Sequence, residues 1–532
     1  MTTIKTRESA AESSKPAGQA DLPRLGWRGG LRYLWTQLTS MRTALILLFA
    51  LALGAIPGSL VPQRRISPVR VTDFINEHPT LGPIYDKLGL FSVYTSPWFA
   101  AIYLLLFVSL VGCIIPRCGG YARALGARPP KTPRNLTRLP AYATAEIADN
   151  DHDVLDRAAT ALRQRHYRVD VHEDSVAAER GYLREAGNLV FHISLVFVLI
   201  GVAIGALFGF RGTSVVIVGQ GFSNNLTQYD DFSAGARFTD ADLVPFSVIL
   251  KDFDVKFETG PVQRGAARLF RANVEVTEEP GAAPRPDVLE VNKPLHIGGT
   301  KVHLIGHGYA PKVTVKDAEG NIAFSGPVVL LPQDGNFSSI GAIKAPDARP
   351  ERLAFEAFFF PTAVLNDQGP QSVFPDALNP ALFVNVWYGP PKVETGRPEN
   401  VYSLDTVGLS QLREADGQPV RIGLKVGDGV NLPDGKGSIQ LDGWVRWVKL
   451  QIGATPGVPI SLIAIGFAVA GLCLSLFVRP RRVWIRVRSR EPGRSVVEVG
   501  GLDRADARAG LTDDVAEFAA ELSRRSEDVS VR

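Results

Sequence analysis

Cysteine and methionine are scarce in this chain, whose 532 residues include three cysteines and two methionines. None of the three, Cys113, Cys118 and Cys473, belongs to a C-x-x-C motif, and the segment 210–457 contains no cysteine. A disulfide framework or a thiol–disulfide exchange role for that segment is therefore unsupported. We interpret the cysteines as small apolar residues of membrane helices, with a covalent or redox role for Cys113 or Cys118 as the alternative.

Several familiar signatures are also missing. The chain contains no Walker motif, no nucleophile elbow, no H-E-x-x-H sequence and no paired-carboxylate constellation, so we name no catalytic residue. The polar first 26 residues lack the early apolar core of a secretory signal. We predict that this N-terminal stretch, and most of the chain after Arg490, is disordered.

Four nearly uninterrupted apolar runs dominate the hydropathy pattern, at 43–61, 97–115, 187–209 and 458–478. None of them contains Asp, Glu, Lys or Arg. About 20 residues at roughly 1.5 Å per residue cross a hydrocarbon core about 30 Å thick, so each run predicts one transmembrane helix. The residues 29–41 predict an interfacial helix that leads into the first span.

Arginines near the ends of these runs predict the orientation of the protein. They follow the second run, precede the third and follow the fourth: Arg117, Arg123, Arg128, Arg180, Arg184, Arg479, Arg481, Arg482, Arg486, Arg488 and Arg490. Positively charged loops stay inside, so we expect a bacterial cytoplasmic membrane protein with both termini cytoplasmic. These arginines also account for the formal net charge of +4, which therefore gives no case for nucleic-acid binding.

The predicted fold class is an α+β membrane protein with a soluble domain on each side. A cytoplasmic N-terminal tail (1–42) and C-terminal tail (479–532) enclose the four spans, and 62–96 forms an outer loop. In the cytoplasmic loop domain, 116–186, the periodicity predicts a small β-α-β-β unit. The long segment 210–457 alternates apolar and polar residues between Gly, Pro, Asn and Asp turns, which indicates an extracytoplasmic all-β domain built as a sandwich or open barrel, with two lobes as one arrangement.

His192 is the only side chain inside the four runs that titrates near neutral pH. Ionisable residues within a membrane usually face protein, a cavity or a ligand. Asn188 lies one helical turn earlier, so both should share a helix face. Three roles remain open for His192 on this pattern alone: an interhelical hydrogen bond, a proton relay, or ligation of a metal or haem iron. Gly201 and Gly205 form a G-x-x-x-G pair that predicts close helix contact.

The remaining histidines of the outer segments give weaker signals. His303 and His307 are four residues apart, so in a regular strand they would share a face. No further His, Cys or carboxylate completes a metal pattern with them or with His296, and we interpret all three as ordinary strand residues. His78, in the outer loop, is a weaker candidate for ligand contact.

Five segments together resemble the ResB (CcsB) family of cytochrome c biogenesis proteins, of the system II type. The segments are LTSMRTALILLFALALGAIPGSLVPQ, GLFSVYTSPWFAAIYLLLFVSLVGC, GYLREAGNLVFHISLVFVLIG, VNKPLHIGGTKVHLIGHGYAP and LQIGATPGVPISLIAIGFAVAGL. Each is loose by itself. Their order, with three spans, a β domain and a fourth span, is what makes the resemblance specific.

The resemblance implies a role in handling haem. Members are thought to work with a ResC (CcsA)-type membrane partner, to pass haem outward and to support its thioether attachment to CxxCH motifs of apocytochrome c. The family's third-span histidine, thought to be an axial haem ligand, corresponds to His192, and haem would be transported or bound transiently and shared with the partner. The partner's tryptophan-rich segment has no counterpart here, so we expect an accessory subunit of a haem lyase complex. A small-solute transporter and a membrane-anchored scaffold are the alternatives.

Overall fold

The structure is a computed structural model that describes residues 26–64, 66–367, 369–391, 400–414, 416–491, 494–503 and 510–530. The predicted disorder of the N-terminal stretch falls almost entirely outside these residues. The chain forms two compact units, one of residues 1–198 with 462–532 and one of residues 199–461.

The helices of the described chain include four that are long and apolar enough to cross a membrane, α2, α5, α7 and α8. The helices are α1 (Trp27–Leu38), α2 (Met41–Leu60), α3 (Pro68–Glu77), α4 (Leu81–Lys87), α5 (Pro97–Gly126), α6 (Asp151–Gln164), α7 (Leu183–Phe208), α8 (Val458–Phe477) and α9 (Leu511–Ser530). The four predicted spans are thus confirmed as helices. The second differs in length, because α5 continues beyond the apolar run through Arg117 to Gly126.

Helix α1 confirms a helix close to the predicted range 29–41, and its interfacial location stays a prediction. It precedes α2 with a break at Thr39 and Ser40, and the Ser40 hydroxyl caps α2 by accepting from the Thr43 backbone N–H. The outer loop 62–96, for which the sequence predicted no regular elements, contains α3 and α4.

The small domain combines two distant parts of the chain. Its strands are β1 (Ala141–Ile147), β2 (Arg168–Val171), β3 (Ser175–Arg180), β23 (Arg481–Glu491) and β24 (Arg494–Asp503). They form one antiparallel sheet in the order β1-β24-β23-β3-β2. Helices α6 and α9 pack on one face of this sheet, where Leu162 and Phe518 meet Ile485 and Val499 in a common core.

The predicted β-α-β-β unit is therefore incomplete, and the expectation of disorder after Arg490 is wrong for the residues described there. The β-α-β-β order is present as β1, α6, β2 and β3, but β1 pairs with β24 rather than with β2 or β3. In β23 the arginines alternate with Val483, Ile485 and Val487, which face the core. This alternation is typical of a half-buried strand, and the cluster of positive charges obscured it.

The large domain consists of the strands between α7 and α8. Its strands are β4 (Phe210–Ile217), β5 (Gly221–Ser223), β6 (Asp231–Ala234), β7 (Ser247–Phe257), β8 (Ala267–Thr277), β9 (Arg285–Glu290), β10 (Leu295–Ile297), β11 (Thr300–Lys316), β12 (Ile322–Pro327), β13 (Leu331–Pro332), β14 (Ser339–Ala345), β15 (Arg352–Phe360), β16 (Ala363–Asn366), β17 (Gly369–Ser372), β18 (Ala381–Gly389), β19 (Ser410–Gln411), β20 (Arg421–Lys425), β21 (Gly429–Asn431) and β22 (Ser438–Ala454). A large sheet-rich region was predicted and is confirmed.

Two long strands, β11 and β22, link the two hydrophobic cores of this domain. They pair antiparallel along most of their length and carry β10, β4, β6, β12 and β21 in the same sheet. One core, around Leu250, Val302 and Leu450, lies against the four-stranded sheet β5-β7-β8-β9. The other, around Phe355, Leu382 and Leu441, lies against the sheet β13-β14-β15-β18-β19 with β20.

Candidate functional site

A cavity of about 700 Å³ lies between α2, α5 and α7. Its wall consists of Met41, Ala44, Leu45 and Leu48 from α2, of Leu106, Phe107, Leu110, Cys113, Ile114, Arg117, Gly120 and Tyr121 from α5, and of Glu185, Asn188, Leu189, His192 and Leu195 from α7. Sites for small molecules typically measure roughly 300–1,000 Å³ and are apolar with a few polar groups. The cavity therefore has the size and the lining of a site for an organic ligand.

His192 lies on the α7 wall with one ring nitrogen committed to the helix backbone. Its Nδ1 is 2.8 Å from the carbonyl oxygen of Asn188. Because a carbonyl can only accept a hydrogen bond, Nδ1 carries the proton of the neutral ring, and Nε2 keeps its lone pair. A backbone carbonyl on one nitrogen is the usual support for a histidine that coordinates a metal through the other.

The spacing of Asn188 and His192 predicted a shared face of α7, and both residues line the cavity. The contact between them uses the Asn188 backbone, while the side chain of Asn188 contributes to the wall. The ring of Phe191 meets the imidazole edge-on, with ring centroids 5.1 Å apart. The half-buried imidazole is thus held in a defined orientation beside the cavity.

Further polar groups on the wall were not singled out by the sequence reasoning. Arg117 and Tyr121 lie one turn apart on α5, and Glu185 lies two turns before His192 on α7. Their spacing is the sequence feature that could have identified them. Arg117 and Tyr121 follow Cys113 at four-residue intervals, and Glu185 lies seven residues before His192. This spacing does not stand out in the sequence, because Arg117 and Tyr121 follow the apolar run of the second span, where basic residues are expected as flanking charges.

Two sulfur atoms also lie at the cavity. The Cys113 thiol donates to the carbonyl of Thr39 at 2.7 Å, and the Met41 sulfur accepts from the Arg117 guanidinium at 3.2 Å. Cys113 therefore belongs to the cavity wall while Cys118 and Cys473 do not line it. The redox alternative for Cys113 or Cys118 stays a hypothesis.

The other candidate histidines lie elsewhere. His78 ends α3, where its Nδ1 lies 3.1 Å from the carbonyl oxygen of Phe74 and its ring stacks on the Phe74 ring at 4.4 Å. His296 is exposed on β10. None of these residues lines the cavity. Among the residues that the structure describes, no group of three or more His, Cys, Asp or Glu side chains could hold a metal ion.

His303 and His307 do not share a face of β11, which corrects the expectation from their spacing. The register shifts between Leu304 and Gly306, so Ile305 is an extra residue. A bulge of one residue inverts the alternation beyond it. His303 pairs with Gln451, whereas His307 pairs with Val448, a residue of the hydrophobic core.

His307 is instead a buried member of an aromatic cluster in the large domain. Its ring centroid lies 4.6 Å from that of Phe270 and 4.6 Å from that of Phe337. Its Nδ1 is buried without a hydrogen-bond partner, and burial lowers the pKa of His307 to about 3. The residue is therefore neutral at physiological pH.

The cavity combines the kinds of group that an iron porphyrin would use: apolar side chains, one imidazole lone pair and one guanidinium. The leucines offer apolar surface to the faces of a planar ring, and the lone pair of His192 Nε2 suits iron. Arg117 offers a cation to a peripheral acid group. This combination depends on a small number of side chains that lie on three different helices.

The fold and the cavity define a class of protein: a four-span membrane protein that carries a large β domain and a histidine-bearing cavity among its helices. Residues 41–515 match the model of the ResB-like family. Because this match covers most of the chain, the protein belongs to that family. The matched range includes the four spans, the residues that line the cavity and the large domain, and it ends within α9 of the small domain.

Curated relatives agree with this assignment. The chain is 29% and 28% identical to the cytochrome c biogenesis proteins CcsB of two Synechococcus strains, over 51% and 65% of its own length and 59% and 74% of theirs. It is 25% identical to the cytochrome c biogenesis protein CcsB of a Nostoc species over 83% of both chains. The first of these matches thus spans somewhat more than half of the relative.

Proposed function

We propose that this protein is the haem-handling subunit of a cytochrome c maturation complex in the bacterial cell membrane. In this proposal the cavity between α2, α5 and α7 receives haem as cargo, and His192 Nε2 is one axial ligand of its iron. A ResC (CcsA)-type membrane protein accepts the haem and joins it to apocytochrome c.

The orientation of the His192 imidazole is the observation that carries the proposal. Of the three roles open for this residue, an interhelical hydrogen bond would use a side chain or backbone of another helix, yet its Nδ1 bonds within α7. A proton relay would need hydrogen bonds from His192 to further titratable groups, whereas the hydrogen bond described for its ring goes to the Asn188 backbone. Iron ligation uses the remaining lone pair and the adjoining apolar space.

The position of the cavity supports entry from one end of the spans. Glu185 lies three residues into α7, directly after the small domain, and Tyr121 lies in the final part of α5 that also leads into that domain. From the flanking arginines we infer that this end faces the cytoplasm. Haem made in the cytoplasm would thus reach His192 before it is transferred outward.

The partner completes the haem site in this proposal. A single histidine fills one of two axial positions of haem iron. We infer that the second donor comes from the ResC (CcsA)-type protein, and that thioether bond formation takes place on it. The large β domain serves as the scaffold for the partner, for apocytochrome c or for the haem path.

The test compares the haem spectra of the wild-type protein and His192→Ala, purified alone and with the ResC-type partner. We expect the substitution to remove the absorption band of histidine-ligated haem and to abolish maturation of c-type cytochromes in cells. Added imidazole should restore part of the maturation with His192→Gly, because the small ligand can occupy the space of the missing ring.

The matched control is His152→Ala, whose side chain is 87% exposed on the small domain. It should leave both the spectrum and maturation unchanged. An unaltered haem band in His192→Ala, or normal cytochrome maturation without imidazole, would show that His192 is not the ligand.

A further inference from the structure

Arg117 introduces a positive charge into an otherwise mainly apolar cavity wall. It lies on the face of α5 that also carries Cys113 and Tyr121. The contact of its guanidinium with the Met41 sulfur uses one of its five N–H donors. Within the described part of the chain, no carboxylate forms an ion pair with Arg117.

The Met41 contact is a weak substitute for an anion. Thioether sulfur is a weak acceptor, whereas a guanidinium pairs best with a planar carboxylate through two parallel hydrogen bonds. Arg117 therefore has the chemistry of an unsatisfied carboxylate-binding group.

Glu185 is the opposite charge on the same wall, and it restricts where an acidic ligand can lie. It also lines a second, smaller cavity of about 170 Å³ that includes Arg128, Arg180 and Arg482. Glu185 thus lines both cavities. A ligand carboxylate is repelled by Glu185 and attracted by Arg117. The wall therefore favours the ligand orientation that places the acid group at Arg117 and away from Glu185.

We propose that Arg117 binds a carboxylate of the cavity's ligand and thereby fixes its orientation. This inference rests on the proposed function and adds the substrate class: a planar porphyrin with at least one free carboxylate, held by its iron at His192 and by its acid group at Arg117. Arg117 is a specificity-determining residue, because it selects the acid over uncharged derivatives of the same ring.

The experiment measures the affinity of the full-length protein in detergent for iron protoporphyrin IX and for its dimethyl ester. Wild type should prefer the diacid by about tenfold, as expected for one charge-assisted interaction. Arg117→Gln should bind both forms with nearly equal affinity, and Arg117→Lys should retain part of the preference. Because micelle partitioning of each porphyrin is the same for all variants, the change in preference reports the protein.

The control is Arg123→Gln on the same helix, where the guanidinium donates to the Gly119 carbonyl and does not line the cavity. This variant should keep the wild-type preference. If Arg117→Gln also keeps it, while a His192-dependent haem band is present, the inference is wrong and the proposed function stands. If wild type shows no His192-dependent band with either porphyrin, the proposed function fails and this inference fails with it.

Discussion

At the scale of single residues, two histidines of this chain show how the surroundings decide what an imidazole can do. His192 has a backbone acceptor for Nδ1 and lies beside an open cavity, so its other nitrogen is available to a ligand. His307 is 9% exposed among phenylalanine rings, and its Nδ1 has no partner. His192 is therefore suited to ligand binding, whereas His307 is a core residue whose burial destabilises the folded protein at low pH.

That cost gives a prediction for the pH dependence of stability. Burial, with the nearby Arg446 charge, lowers the pKa of His307 from 6.5 to about 3. Between pH 6.5 and about pH 3, the His307 imidazole is protonated in the unfolded chain but neutral in the folded chain. Acidification in this range therefore favours unfolding. The free energy of unfolding should therefore be about 2 kcal/mol lower at pH 5 than at neutral pH.

Thermal unfolding of the full-length protein at pH 7.5 and pH 5 checks this prediction. His307→Phe should show a smaller drop in unfolding temperature between the two pH values than wild type. His296→Gln, which alters an exposed histidine of the same domain, should behave like wild type. An identical pH dependence in wild type and His307→Phe would contradict the assignment of the effect to this residue.

At the scale of elements, glycines decide how closely α7 and α8 approach. A Cβ atom at Gly187 would lie 2.6 Å from the Gly471 carbonyl oxygen and 2.7 Å from the Ser475 nitrogen. One at Gly201 would lie 2.7 Å from the Gly457 carbonyl oxygen. The same number of residues separates the two contacts on both helices, which fits antiparallel packing.

The predicted G-x-x-x-G contact is therefore half correct. Gly201 lies against α8, but a Cβ atom at Gly205 would meet nothing within 4 Å. Sequence spacing identified a helix face with small residues. It could not identify which glycine of that face meets another backbone, because that depends on where α8 crosses.

We predict that Gly187→Ala destabilises the protein by about 1–3 kcal/mol, since the atoms in the way belong to the backbone of α8 and can move only with the helix. The displacement of α7 should also weaken haem binding at His192. Thermal unfolding and the haem titration measure the two effects. Gly205→Ala is the matched control on the same helix and should change stability little, so equal losses in both variants would argue against close packing at Gly187.

At the scale of the whole molecule, the chain passes between the two domains through α7 and α8. Helix α7 begins shortly after β3 of the small domain and ends shortly before β4 of the large domain. Helix α8 likewise follows β22 of the large domain and precedes β23 of the small one. Each of these two helices therefore joins one domain to the other along the chain. The arginine pattern predicts which domain is cytoplasmic.

Single introduced cysteines test this orientation. Glu279 is exposed in a turn of the large domain, and His152 is exposed on the small domain. We expect a membrane-impermeant maleimide to label Glu279→Cys in intact cells and His152→Cys only after permeabilisation. The unmodified chain, with its three cysteines, measures the background. Labelling of His152→Cys in intact cells would reverse the predicted orientation.

The amino-acid sequence by itself determined the four apolar helices, the β character of the long segment and the choice of His192 as the candidate ligand. These features depend on local properties: the length of an apolar run, a period of two residues and one titratable side chain in an apolar helix. Each can be read within a window of about 20 residues.

Only the tertiary structure decided which distant residues meet. It placed the hairpin β23-β24 between β1 and β3, separated His303 from His307 through the bulge at Ile305, and gathered His192, Arg117 and Glu185 around one cavity. Strand order, bulges and helix packing arise from contacts between segments hundreds of residues apart or from the geometry of several helices together. No local pattern contains that information, because the partner of each residue is set by the packing of the whole chain.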